Sequence, residues 1–125
     1  MRIKVSDLSG VLLDYYSALG LYKLKENVKI VGDKVYILKQ TDSDELCWSL
    51  FLPTVNKEDN KVIEDSVNVV TTYNHKNFLC YQSTIVADYH NYTCHSRSHL
   101  VSVARVFVSS IFGGYVDSDV PGYVG

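Results

Sequence analysis

Imidazole and thiol side chains, which can bind metals or do nucleophilic chemistry, concentrate in one segment, at His90, Cys94, His95 and His99. Zinc prefers such ligands, usually four of them held at motif spacing. His95 and His99 are four residues apart, but the helix predicted to follow begins only at Ser98, so the two rings do not share a helical face. No Cys-x-x-Cys motif adds further ligands. We therefore expect no metal site.

The same segment contains the residue types of a catalytic triad, Asp88, His90 and Cys94. Three positions this close within one loop rarely converge on a shared reacting atom, and no nucleophile elbow or glycine-rich phosphate loop is present. We therefore expect a protein that is not an enzyme, with no catalytic residues and no cofactor.

Cationic, aromatic and amide side chains point instead to the binding of an anionic ligand. Lysine, arginine and histidine can contact phosphates, and the start of the last predicted helix adds free N–H groups and a positive dipole. Aromatic rings can stack on a base, and an asparagine can pair with a base edge or a ribose hydroxyl. The predicted ligand-binding residues are Arg105, Asn91, Trp48, Phe51, Tyr89, Arg97, His99 and Lys57.

Arg105 has two possible roles at this stage. It lies about 140° around the last helix from Leu100, at the edge of the apolar stripe. In the first role it faces the phosphates of a ligand as a planar, charged donor. In the second it pairs with a nearby acid such as Asp14 or Asp117 and holds the helix in place.

Two helices must position these side chains. Apolar residues at helical spacing, with Ser98 as N-cap and the pair Gly113–Gly114 as a stop, predict the last helix. A similar pattern predicts a first helix over residues 6–20, with Ser6 as its cap and Gly20 at its end.

Strands are expected between the two helices. The predicted strands are 28–31 and 35–39 around Gly32, then 46–52 stopped by Pro53, then 67–73 and 78–87. Residues 54–65 and 88–97 are polar and are predicted to be loops. The expected fold class is α+β, a mostly antiparallel sheet of about five strands with an N-terminal and a C-terminal helix packed on one face.

Length and composition narrow the class of protein further. A chain of 125 residues is predicted to form a single domain, residues 1–125, and its net charge of −2 argues against nucleic acid as a partner. No apolar run is long enough for a membrane span or a signal peptide, so we expect a cytoplasmic protein that does not bind membranes. Ten tyrosines and a largely apolar last helix favour a homo-oligomer, a dimer or larger.

Both ends of the chain resemble the phage NinX-like small proteins. A Leu-x-Gly-x-x-Leu-Asp run opens the first helix of that family, and an Ala-Met-Arg-x-x-Val-x-Ser-x-x-Gly helix lies near its end. The matching positions here are Leu8, Gly10, Leu13 and Asp14, then Ala104, Arg105, Val108, Ser110 and Gly113, and Trp48 and Ile63–Glu64 correspond as well. The Pro-Ser-Thr-Asp-Trp pattern usual in these proteins is missing between Trp48 and Ser66.

The order helix, antiparallel sheet, helix also resembles that of phage Thoeris anti-defence sponges. These proteins sequester a cyclic ADP-ribose isomer made by bacterial TIR-domain sensors. The resemblance implies a homo-oligomer in the cytoplasm of the infected bacterium that binds such a nucleotide without cleaving it and so blocks Thoeris immunity. The alternative function is a phage accessory protein that binds and blocks a host protein. A concave groove lined by arginine and aromatic residues favours the first, and a flat apolar patch favours the second.

Overall fold

Short antiparallel strands and three helices build the part of the chain that the computed structural model describes, residues 1–74, 80–87 and 90–124. The helices are α1 (Gly10–Tyr22), α2 (Lys57–Ser66) and α3 (His99–Phe112), and 3₁₀ turns cover Val5–Asp7 and Lys25–Asn27. The strands are β1 (Arg2–Lys4), β2 (Val28–Val31), β3 (Lys34–Gln40), β4 (Leu46–Leu50), β5 (Val69–Asn74), β6 (Cys80–Val86), β7 (Asn91–Ser96) and β8 (Tyr115–Asp117). The α+β class is confirmed.

The strands form three antiparallel sheets and not the single five-stranded sheet that the sequence predicted. The first has the order β2-β3-β4, the second has the order β5-β6-β7, and β1 pairs with β8. The predicted turn at Gly32 is confirmed, because Gly32 takes a φ of +64° between β2 and β3. One sheet was expected because the pattern shows where strands lie and not which strands pair.

Each long helix covers its own sheet. Helix α1 contacts β2 and β3, whereas α3 contacts β6 and β7, and the two helices also contact each other. The expectation that both helices pack on one face of a single sheet is therefore wrong. The core lies between these layers and includes Leu13, Ile37, Val103 and Phe107.

The predicted start and end of the first helix also need correction. Ser6 lies in a 3₁₀ turn, and α1 begins after Ser9. Gly20 lies inside the helix, which ends at Lys23 in a left-handed conformation with a φ of 66°. Gly20 serves close packing, because a Cβ atom there would lie 2.8 Å from the Phe107 ring.

One buried carboxyl ties α1 to the segment after β4. Asp14 is 4% exposed, and its Oδ1 accepts a hydrogen bond of 3.0 Å from the Thr54 N–H. Burial raises the pKa of Asp14 to about 6, against the lowering effect of the hydrogen bonds from Thr54.

The described helices include none that is long and apolar enough to cross a bilayer.

Candidate ligand-binding groove

A groove of about 350 Å³ lies where α2 meets the start of α3. Its walls combine two lysines, a buried amide, a carboxylate and an imidazole. The lining residues are Lys57, Asn60, Lys61, Glu64, His99 and Leu100. Of the eight predicted ligand-binding residues, Lys57 and His99 meet here, although they are far apart in the sequence.

Helix α2 occupies a segment that was predicted to be a loop. Its N-cap is Asn56, whose Oδ1 accepts a hydrogen bond of 3.0 Å from the Asp59 N–H. The Asp59 carboxylate in turn accepts a hydrogen bond of 2.9 Å from the N–H of Leu52. The helix presents Lys57 and Lys61 four residues apart, one helical turn, and thus on the same side.

Asn60 joins both helices and the preceding turn. Its side chain is 1% exposed, and its Nδ2 donates to the carbonyl oxygens of Pro53 and Leu100, each at 3.0 Å. Both donor hydrogens are therefore in use. Its Oδ1 is buried and has no hydrogen-bond partner among the described residues. Such an unpaired buried acceptor is costly, and with less than 1 Å² of its surface exposed it lies behind the groove wall and not on it.

The start of α3 supplies the positive end of a helix dipole. Ser98 caps the helix as predicted, since its Oγ accepts a hydrogen bond of 3.3 Å from the Val101 N–H. The N–H groups of His99 and Leu100 lie in the first turn and have no intrahelical acceptor. They are suited to contact an anion at this end of the groove.

His99 is held from two sides. Its Nε2 lies 3.8 Å from Oε1 of Glu64 on α2, and its ring stacks on Tyr81 of β6 with the centroids 5.3 Å apart. Tyr81 in turn contacts the ring of Tyr73, at 4.9 Å between centroids. A row of aromatic rings therefore leads from the second sheet to the groove.

A chain of hydroxyl groups fixes the first turn of α3 against the second sheet. Ser102 Oγ donates to the His99 carbonyl at 2.8 Å, so Ser102 must accept the 2.8 Å hydrogen bond that joins it to Ser83. Ser83 has then used its only hydrogen and must accept from Thr71, also at 2.8 Å. All these donors and acceptors are satisfied, and the chain positions His99.

Arg105 lies outside the groove and holds other parts of the fold together. Its Nε donates to the carbonyl oxygen of Leu8 and its Nη1 to that of His95, each at 2.8 Å. Burial lowers the pKa of the guanidinium, an effect that the nearby Cys94 and Asp7 oppose. Two of its nitrogens are thus committed to carbonyls, and we assign Arg105 a structural role. The expectation that it faces ligand phosphates is corrected.

The acids named as alternative partners of Arg105 have other contacts. Asp14 accepts from Thr54, and the Asp117 carboxylate accepts hydrogen bonds from the Met1 ammonium and the Asp119 N–H. The hydrogen bonds of Arg105 go to backbone carbonyls and not to the acids named for its structural role.

The predicted stacking residues do not converge. Phe51 is 1% exposed and packs edge-on against Tyr22, with centroids 5.8 Å apart, so its ring is part of the core and is not available to a ligand. Trp48 is 39% exposed on β4, in the first sheet, where its ring contacts the ammonium of Lys29 at 4.1 Å. Tyr89 and Asp88 lie outside the described residues.

Asn91 and Arg97 lie in the second polar segment, residues 88–97, which was also predicted to be a loop. Residues 91–96 form strand β7 and not a loop, with Asn91 exposed at its start. Arg97 follows the strand and lines a separate hollow of about 440 Å³ with Cys80, His95 and Ser96. Arg97 and Asn91 therefore do not line the groove.

Besides Lys57 and His99, the groove is lined by Asn60, Lys61, Glu64 and Leu100, which the predicted ligand-binding set did not include. Tyr81, whose ring stacks on His99, was missed as well. Asn60 could have been found from the pair Asn56 and Asp59, whose spacing is typical of a capped helix start. A helix beginning there places Asn60 and the buried Ile63 on one face, which makes Asn60 a candidate for a buried amide. No comparable signal identifies Tyr81 among ten tyrosines.

No model of a known protein family matches the chain, and no curated protein matches it.

Proposed function

We propose that this protein binds and sequesters an anionic nucleotide of the cyclic ADP-ribose type in the α2–α3 groove, without cleaving it. In an infected bacterial cytoplasm such a protein would remove a signalling nucleotide and so block Thoeris immunity. The observation that carries the proposal is that Lys57, Lys61 and the N-terminus of α3 meet at one groove.

The groove offers separate groups for separate parts of a nucleotide. Lys57, Lys61 and the N–H groups at the start of α3 provide positive potential for a pyrophosphate. The Glu64 carboxylate is an acceptor for ribose hydroxyls. His99, stacked on Tyr81, presents a flat ring at the edge where a base would lie.

The volume of the groove and the affinity that sequestration requires limit which ligand the protein can hold. A volume of about 350 Å³ is close to the lower end of the range for small-molecule pockets, so the groove would enclose the phosphates and one nucleoside. A protein that removes a signal must hold it at low concentration, which requires roughly −10 kcal/mol, a Kd of tens of nanomolar. The fixed positions of Asn60 and His99 support such affinity by limiting the ordering cost of binding.

The test is to incubate the purified protein with cyclic ADP-ribose isomers, remove free ligand, denature the protein and identify by mass spectrometry what is released. Release of intact nucleotide supports sequestration. Release of an altered nucleotide would make the protein an enzyme, and release of nothing would refute nucleotide binding.

Matched variants locate the site. Lys57→Ala/Lys61→Ala should weaken binding at least about a hundredfold in calorimetry, because two charge-assisted phosphate contacts are lost. Lys4→Ala/Lys39→Ala removes the same charge at exposed positions elsewhere and should leave the affinity unchanged. Equal losses in both variants would mean that only the net charge matters and that the groove is not the site.

The alternative function, binding to a host protein, would use a flat apolar surface. The outer face of the β2-β3-β4 sheet is such a surface, with Leu46 66% exposed and Leu50 45% exposed. A protein that releases no nucleotide but captures one defined host protein through this face would favour the alternative.

A further inference from the structure

The side of the β2-β3-β4 sheet that faces away from α1 is largely apolar. Alternation along the strands and the register between them place one set of side chains on this outer face. Its apolar members are Val31, Tyr36, Leu38, Leu46, Trp48 and Leu50. The Lys29 ammonium lies 4.1 Å from the centroid of the Trp48 ring, although two strand spacings separate their backbones, so the ring lies across this face.

Strand β4 also has a free backbone edge. The Phe51 N–H donates to the Val35 carbonyl at 2.9 Å, and these two residues extend the β3–β4 register by one pair beyond Tyr36 and Leu50. In an antiparallel pair, hydrogen-bonded and non-hydrogen-bonded partners alternate. The backbone N–H and C=O groups of Leu46, Trp48 and Leu50 therefore point away from β3, toward the open edge.

The two edges of this sheet differ in protection. At β2, the C-terminal segment covers the edge, because a Cβ on Gly122 would lie 2.4 Å from the Ile30 carbonyl oxygen. Strand β2 also carries Lys29, and charged residues discourage edge pairing. Strand β4 reads Leu-Cys-Trp-Ser-Leu and has no charged residue, proline or bulge in the described structure. Its edge has the properties of a pairing site.

We propose that β4 pairs antiparallel with β4 of a second copy of this chain, about a two-fold axis at Trp48. This register brings Trp48 opposite its own counterpart and Leu46 opposite Leu50 of the second copy. All three residues with outward-pointing backbone groups then find partners, and the two sheets join into one of six strands. The two Trp48 side chains meet on the same face of the joined sheet.

Charge supports a second copy as the partner. The acidic turn before β4 lies at one end of the edge, where Gln40 Nε2 donates to Asp44 Oδ1 at 3.2 Å. Lys34 lies at the other end, on the outer face of β3. Antiparallel pairing places Asp44 alongside Leu52 of the second copy, one strand away from its Lys34. The edge is thus complementary to itself in charge, as a two-fold interface requires.

Backbone pairing separates this proposal from simple apolar contact. Trp48→Pro removes an outward N–H while keeping the hydrogen bonds to β3, and Trp48→Thr removes the ring but keeps that N–H. Sedimentation from about 1 to about 500 µM, the range of weak to moderate interfaces, should give twice the 14.1 kDa chain mass for the wild type. Trp48→Pro should raise the dimer dissociation constant at least about tenfold more than Trp48→Thr does. A wild type that stays monomeric, or equal effects of the two variants, would overturn the proposal.

Disulfide trapping tests the register and does not depend on the proline variant folding. In a Cys47→Ser background, Trp48→Cys should form a disulfide with its counterpart across the two-fold axis. Val70→Cys in the same background places a thiol on β5, an exposed edge strand of the other sheet, as the matched control. Cross-linking of Trp48→Cys no faster than that of Val70→Cys would refute the pairing.

Discussion

The guanidinium of Arg105 and the carbonyl oxygen of Leu8 are 97 residues apart in the sequence and 2.8 Å apart in space. A second hydrogen bond from the same guanidinium reaches His95, at the end of β7. One side chain on α3 therefore joins the segment before α1 to the second sheet. From this geometry we expect Arg105 to contribute to the free energy of unfolding.

Arg105→Ala should lower the free energy of unfolding by about 1–3 kcal/mol, because the partly buried Leu8 carbonyl and the exposed His95 carbonyl lose a charged donor. Arg105→Lys should restore less than half of this, since a single ammonium cannot reproduce the planar fork. Urea unfolding measures both, with the exposed Lys39→Ala as the control. If Arg105→Ala leaves the stability unchanged but abolishes nucleotide binding, Arg105 binds the ligand and is not a structural residue.

Gly20→Ala should destabilise the fold by about 1–3 kcal/mol through overpacking, despite the better helix propensity of alanine. The new methyl group would lie 2.8 Å from Cε2 of Phe107, a ring that is 2% exposed and has little room to move. Gly114→Ala is the control, because nothing lies within 4 Å of a Cβ there. Thermal unfolding should give a lower melting temperature for Gly20→Ala than for Gly114→Ala. Phe107→Leu should restore part of the stability that Gly20→Ala loses. A more stable Gly20→Ala protein would contradict the packing argument.

Asp14→Asn should stabilise the protein at neutral pH and leave it almost unchanged near pH 3. The folded-state pKa of Asp14 is about 6, above its ordinary value of 3.8, so folding favours the protonated carboxyl. The cost of ionisation appears as the pH rises from about 4 to about 6 and is fully present above that range, at about 3 kcal/mol.

Asparagine avoids that cost and can still accept the hydrogen bond from Thr54. Unfolding measured from pH 3 to pH 8 should therefore show the difference between variant and wild type growing through the pH 4–6 window. A difference that is constant over this range would mean that Asp14 does not titrate as its burial indicates.

Ser83 and Ser102 should be energetically coupled, because they share a buried hydrogen bond of 2.8 Å in a fully connected chain. A double-mutant cycle with alanine at both positions should give a coupling of about 0.5–1.5 kcal/mol. Ser110 is the control partner, since it lies on the same helix and donates only to the Phe107 carbonyl at 2.7 Å. A coupling for Ser83 and Ser102 no larger than that for Ser83 and Ser110 would contradict the network.

The sequence predicted those elements whose apolar periodicity and end signals agree. Helix α3 has both, and the predicted cap at Ser98 and stop at Gly113 are confirmed. Helix α2 was missed because its residues are mostly polar and only Asn60 and Ile63 are buried. Strand β7 was missed because its outward residues are polar and Cys94 alone is fully buried. For β7, tertiary contacts decide the structure, whereas the start of α2 has a local capping signal at Asn56 and Asp59 that the prediction did not use.

The candidate site was predictable only in part for the same reason. His99 was found from its place at a helix start, which is a local feature. Phe51 was misassigned because its burial depends on Tyr22 of α1, a contact that the local sequence does not encode. Which aromatic residues approach a site depends on strand pairing, and pairing is the information that a single sequence lacks.

The pairing of β1 with β8 has a consequence for synthesis on the ribosome. Arg2 is the register partner of Asp117, so β1 cannot pair until β8, which is 117 − 2 = 115 residues later in the chain, has been made. At ordinary translation rates this delay is roughly ten seconds, whereas α1 and the β2-β3-β4 sheet have all their residues much earlier. During that interval the Leu8 carbonyl also lacks Arg105. The segment from β1 to Leu8 is therefore accessible to chaperones and proteases for longer than α1 and the β2-β3-β4 sheet are.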